Sequence, residues 1–166
     1  KALESLEGTP NGSVLLYIAG RSAQLTGDYR KAKKHFEIYI EKFSGGEDLS
    51  EVHFRLGLVH LRMGQASSAI AALEKMLLIK NGDRYELNAR YWLARALQAT
   101  NNARALAIID DILGRFPLSY YGLRLRMERS AGAMEWPTTI HLAKEPKGTL
   151  FLTSAQKKIL ERGQLL

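Results

Sequence analysis

The sequence predicts an all-α, right-handed superhelical solenoid built from helical hairpins, and three observations carry that prediction. Tyr17-Ile-Ala-Gly20-Arg21-Ser-Ala-Gln24 aligns with Tyr91-Trp-Leu-Ala94-Arg95-Ala-Leu-Gln98 at an offset of 74, with Phe54-Arg-Leu-Gly57 midway, so the period is 37. Apolar residues recur at spacings of three and four through 14–25, 30–43, 52–63, 69–79, 87–99 and 105–113, which is the helical period. Breaks fall between them at Gly27-Asp28, Gly45-Gly46, Gly64, Asn81-Gly82-Asp83 and Asn101-Asn102, the residues that end helices and make turns.

Taken in order, the segments 14–25 and 30–43 form a first pair, 52–63 and 69–79 a second, and 87–99 and 105–113 a third. Each pair turns on a related motif: Gly27 to Ala32 with Phe36, Gly64 to Ala69 with Leu73, and Asn101 to Ala105 with Ile109, the last one residue shorter. Small residues stand where helices must cross closely. Single pairs cannot bury their apolar faces, so they stack, and the first helices line the concave side. Residues 1–116 are thus expected to hold three pairs after an N-terminal helical remnant. Residues 117–166 are expected to continue as helices and a connector toward a further domain. Ser119–Arg126 reads as a helix. Trp136-Pro137, Pro146 and Gly148 punctuate a connector, and 153–162 reads as a helix capped by Thr153-Ser154 and stopped at Gly163.

Composition narrows the function classes. The 166 residues are 46% hydrophobic and 25% charged, the globular average, which excludes disordered, collagenous and disulfide-scaffold chains. No apolar run approaches the ~18–20 residues of a membrane span, and Lys1–Pro10 lacks the order of a secretory signal. There is no Cys, so thiol nucleophiles, Cys-ligated zinc and disulfides are absent, although this does not fix the compartment. The net charge of +7 divides into +3 over residues 1–116 and +4 over 117–166, which favours anionic partners in a salt-dependent way.

The hairpin layout resembles the tetratricopeptide repeat, with Leu56-Gly57, Ala69 and Leu73 in its slots in the second unit and Ala105, Ile109 and Pro117 in the third. Its Trp slot holds Leu16, His53 and Arg90 instead. Arg115-Phe-Pro-Leu-Ser-Tyr-Tyr-Gly122 following such a unit resembles the soluble lytic murein transglycosylases of bacterial cell-wall metabolism; the family-like segment is Pro117, Ser119, Tyr120, Tyr121 and Gly122. That resemblance implies a periplasmic or envelope protein whose superhelical region supports a lysozyme-like domain. In this family that domain cleaves the bond between N-acetylmuramic acid and N-acetylglucosamine, leaving a 1,6-anhydro sugar. Its catalytic Glu sits in a Glu-Ser pair followed by a Gly-Leu-Met-Gln-like segment. Glu4-Ser5 here has no such segment after it, so this chain alone is expected to carry no catalytic residue. The expected role is a noncatalytic scaffold that holds a peptidoglycan strand and its own downstream domain. The alternative is a tetratricopeptide-type protein–protein interaction scaffold of the envelope.

The candidate binding surface is the concave column Tyr17, Arg21 and Gln24 with Tyr91, Arg95 and Gln98, an aromatic, a guanidinium and an amide on one helical face. Such a set grips a sugar or a peptide. The other reading of Tyr17, Phe54 and Tyr91 is packing between neighbouring helices.

Other chemistry is not supported by spacing. Glu47-Asp48 and Asp110-Asp111 read as surface pairs rather than a cleft-spanning acid and base. His53 and His60 lie two turns apart, ~10 Å along a helix, too far to share a metal, and no ligand pair at spacing three or four accompanies them. Phosphate-loop and nucleophile-elbow motifs are missing. The basic run Arg30 to His35 reads as a solvated face neutralised by Glu37 and Glu41. Arg124, Arg126, Arg129, Lys144 and Lys147 are the better candidates for an anionic polymer, beside a role in ordinary solubility. Neither metal nor cofactor is expected, and no nucleic-acid-reading pattern is present.

Overall fold

The computed structural model describes residues 11–79 and 83–130. The expected helical stretch with Glu4-Ser5, the Asn81-Gly82 break, the 131–148 connector and the 153–162 helix lie outside these residues. The described residues contain seven α-helices and no strand: α1 Gly12–Leu25, α2 Tyr29–Lys42, α3 Leu49–Arg62, α4 Ala66–Leu78, α5 Glu86–Ala99, α6 Arg104–Arg115 and α7 Tyr120–Arg129, with a 3₁₀ turn Asp83–Tyr85 before α5. Each helix packs on the next, and α5 also touches α3 and α7. The fold is an α-solenoid of helical hairpins.

Local chemistry sets the breaks. Gly27 and Gly64 adopt φ of 81° and 71°, and Asn101, at the same place in the third unit, adopts φ of 53°. Left-handed backbone is open to Gly without cost and to Asn at modest cost, so the three turns share one conformation despite the change of residue. Asp28 caps α2 by accepting from the Lys31 N–H at 3.1 Å, which satisfies one of the free donors at that end.

The second helices present a repeated buried stripe: Ala32, Phe36 and Tyr39 in α2, Ala69, Leu73 and Met76 in α4, Ala105, Ile109 and Ile112 in α6. Full burial of each large member contributes about 1.5–3 kcal/mol. Facing them, Gly20 and Gly57 leave room for a side chain of the partner helix. A Cβ on Gly57 would lie 2.6 Å from Leu73 Cγ, and one on Gly20 would collide with the Phe36 ring. No helix among the described residues is long and apolar enough to cross a membrane.

Candidate functional site: a groove across the first helices

The expected concave column splits in two. Phe54 is 6% exposed and stacks on Tyr85, centroids 5.3 Å apart at 19°. Tyr91 is 1% exposed and stacks on Tyr121 at 4.3 Å and 25°. Tyr91 is therefore core, closing the junction between the third hairpin and α7, and offers no face to a ligand. Tyr17 is half-buried and donates its O–H to Glu51 at 2.6 Å. The Arg21 guanidinium donates to the Tyr17 oxygen at 3.2 Å and stands 3.7 Å from Glu51. Arg95 lies over the Tyr91 ring and donates to Gln98 at 3.1 Å and to Glu128 at 3.0 Å. These guanidiniums are engaged by the chain itself.

Glu51 is the hub of the α1–α3 junction. Besides Tyr17 it accepts from Arg55 through Nε at 2.6 Å and through Nη2. Burial pushes its carboxyl up, but hydrogen bonds from Tyr17, Tyr85 and Arg55 outweigh burial and hold it below the usual carboxylate range.

In α3 and α5 the open surface includes the residue after each column aromatic. A rotation of about 100° per residue turns Arg55 and Trp92, rather than Phe54 and Tyr91, toward the side formed by α1, α3 and α5. There a groove of about 450 Å³ is lined by Gln24 and Leu25 of α1, Tyr29 of α2, Arg55, Leu58, Leu61 and Arg62 of α3, and Trp92 of α5. Of the six residues expected, only Gln24 lines it. Arg62 is exposed at its rim and has no ion-pair partner among the described residues. Its neighbour Arg55 is held by Glu51. The groove thus combines the apolar side chains of Leu25, Leu58, Leu61 and Trp92 with polar groups and one uncompensated positive charge.

Residues 14–45 match the tetratricopeptide repeat family. The match covers nearly all of α1, the whole of α2 and the following turn, so the first hairpin is a tetratricopeptide-like unit, and the equivalent stripes of the other hairpins repeat its packing. No curated protein matches the chain at a significant level.

The segment Pro117 to Gly122 is a junction device. Ser119 Oγ donates to the Phe116 carbonyl at 2.7 Å and accepts the Gly122 N–H at 3.0 Å, capping α7. Gly122 sits so near the Phe116 carbonyl that a Cβ there would meet its oxygen. Tyr121 supplies the ring on Tyr91, while Tyr120 is exposed.

Several of the remaining charged candidates are paired, while Arg126 Nε is buried without a hydrogen-bond partner. Asp111 meets Arg90 at 3.3 Å and Arg115 at 3.4 Å, and Asp110 meets Arg129 at 2.6 Å. Lys31 and Lys33 meet Asp28 and Glu37, and Arg124 meets Glu128. His53 and His60 line a second cleft of about 370 Å³ between α2 and α4. His60 Nδ1 lies 2.8 Å from Gln65 Oε1, and no metal-binding cluster occurs among the described residues.

Proposed function

We propose that this chain is a protein-interaction scaffold whose groove holds an extended segment of a partner protein. The observation that carries the reading is the groove itself: Leu25, Leu58, Leu61 and Trp92 form an apolar floor spanning three first helices, and Arg62 supplies an unpaired cation at the rim. A segment with alternating apolar side chains and a carboxylate complements both features. The tetratricopeptide-like first hairpin supports the same class of partner. The probe is a set of fluorescently labelled extended peptides pairing Leu or Ile with Asp or Glu, read by anisotropy. Arg62→Glu should weaken binding by about ten-fold or more, the 1.4 kcal/mol or above expected of one charged contact. It should leave the melting temperature within about 2 °C, as for an exposed surface change. Equal binding by Arg62→Glu and Trp92→Ala variants would exclude the groove.

A second reading rests on the Pro117 to Gly122 segment and the basic balance of residues 117–166. In it the chain is the noncatalytic, superhelical part of an envelope lytic transglycosylase-like protein and holds peptidoglycan glycan for a separate catalytic domain. Purified cell-wall sacculi should then co-sediment the chain in low salt and release it in high salt; no pelleting at low salt would leave the protein-partner reading alone.

A further inference from the structure

The cleft of about 370 Å³ has α2 and α4 as its walls and α3 as its floor, and it shares no residue with the groove across the first helices. Its size lies at the lower end of small-molecule sites, about 300–1,000 Å³. On the floor His53, Leu56 and His60 stand three and four residues apart on one face of α3, so the floor is polar, apolar and polar in turn over about 10 Å. His53 is 7% exposed, and its Nδ1 is buried without a hydrogen-bond partner. Burial, then the charge of Lys75, holds the ring below the ordinary imidazole range, so it is neutral at pH 7 and has a lone pair to offer a donor. His60 Nδ1 lies 2.8 Å from Gln65 Oε1. That oxygen only accepts, so Nδ1 carries the proton and the neutral ring has its lone pair on Nε2. Native interiors leave few polar atoms without partners, and the floor of this cleft is incomplete as it stands.

The walls carry charges that the chain does not neutralise. On α2, Glu37 meets Lys33 only at 3.7 Å, and Glu41 has no ion-pair partner among the described residues. On α4, Lys75 likewise has none, and Ser68 adds a hydroxyl. Glu37 and Glu41 are neighbours on one helical face, ~6 Å apart along the axis. The cleft therefore offers two carboxylates on one wall, an ammonium on the other, and imidazole lone pairs at both ends of an apolar strip. Its complement has two cationic groups and one carboxylate joined by a methylene stem. We propose that the cleft is a binding site for a free basic amino acid, lysine or arginine, whose cationic groups meet Glu37 and Glu41, whose carboxylate meets Lys75 and whose stem lies on Leu56 and Ala72. This site does not rest on what the groove holds.

The probe is L-lysine, with L-arginine beside it, titrated into the full chain and read by calorimetry and by the Cε1–H resonances of His53 and His60. Cadaverine, which lacks only the carboxylate of lysine, and ε-aminocaproate, which lacks only its α-amine, should each bind about ten-fold or more weakly, as for loss of one charged contact. Lys75→Met should weaken L-lysine about ten-fold without weakening cadaverine, a split that a merely structural role for Lys75 would not produce. Glu41→Gln should weaken both. The two residues are exposed, so melting temperatures should stay within about 2 °C of the unmodified chain. Failure of both amino acids to bind up to about 10 mM would overturn the proposal. Cadaverine binding as tightly as L-lysine would also overturn it, leaving a cation site with no carboxylate contact. Shifts at the Trp92 indole without shifts at either imidazole would place the ligand in the groove instead, with the same consequence.

Discussion

Glu51 concentrates the electrostatics of the first junction in one carboxylate, whose side chain is 12% exposed. The unfolded Glu takes a proton near pH 4.3, while the folded one resists until lower pH. Its contribution to stability is therefore complete above about pH 4.3 and lost as pH falls through the folded value. Glu51→Gln should cost about 1–3 kcal/mol at neutral pH, and urea titrations should show the difference from the unmodified chain shrinking below pH 4. His53 behaves as a base under the same rule. Burial, then the charge of Lys75, holds it below the ordinary imidazole range, and its Nδ1 is buried without a partner. The unfolded ring takes a proton near pH 6.5 that the folded ring refuses, so stability falls as pH drops from about 7 through the folded value. His53→Leu should flatten that fall in urea midpoints measured from pH 7 to 5. At this scale the sequence was only partly legible. Phe54 and Tyr91 repeat in type because each is buried against a ring of the next unit, Tyr85 and Tyr121. Arg55 and Trp92, at the same place in successive first helices and both lining the groove, share no residue type. Arg55 and Trp92 therefore gave no periodic signal, whereas Gln24, which also lines the groove, did so through its repeat at Gln98.

Between helices the governing feature is close approach. Gly20 and Gly57 occur at the same place in successive first helices, and the third unit has Ala94, packed in a cluster with Ile109. Gly57→Ala would gain up to about 1 kcal/mol of helix propensity. The new Cβ would overlap Leu73, which has no exposed surface into which to move. Overpacking of this kind costs about 1–3 kcal/mol, so the net change should be destabilising, read as a lower urea midpoint with unchanged helical circular dichroism. All six regular helices and the one after Pro117 were legible from periodicity and breaks. Their starts were less so: α3 and α4 begin at Leu49 and Ala66 rather than 52 and 69. The apolar pattern reports where a helix becomes buried, whereas hydrogen bonding begins in the more polar turn before it. The helix after Pro117 was placed within one residue: Ser119, read as its first residue, is its cap, and α7 begins at Tyr120.

For the molecule as a whole, stability is a sum of hairpins and the junctions between neighbours. Tyr121→Ala removes the ring that seals the last described junction and should cost about 2 kcal/mol, less than truncation of a fully buried aromatic. Native-state hydrogen exchange should report that loss in α7 while α2 and α3 keep their protection; a uniform loss would mean that the array unfolds as one unit. The stacking of hairpins was legible from the 37-residue period, since a repeated surface that cannot bury itself alone must meet its copy. The direction of the groove was not, because one residue of register rotates a helix by about 100°. The restriction of helix contacts to neighbouring hairpins also has a mechanical meaning. A small change of angle at one junction alters the curvature of the array without breaking a helical hydrogen bond, and such changes add along its length. The array is a short spring, soft in bending and stiff within each coil, and a partner lying across α1, α3 and α5 would act as a splint.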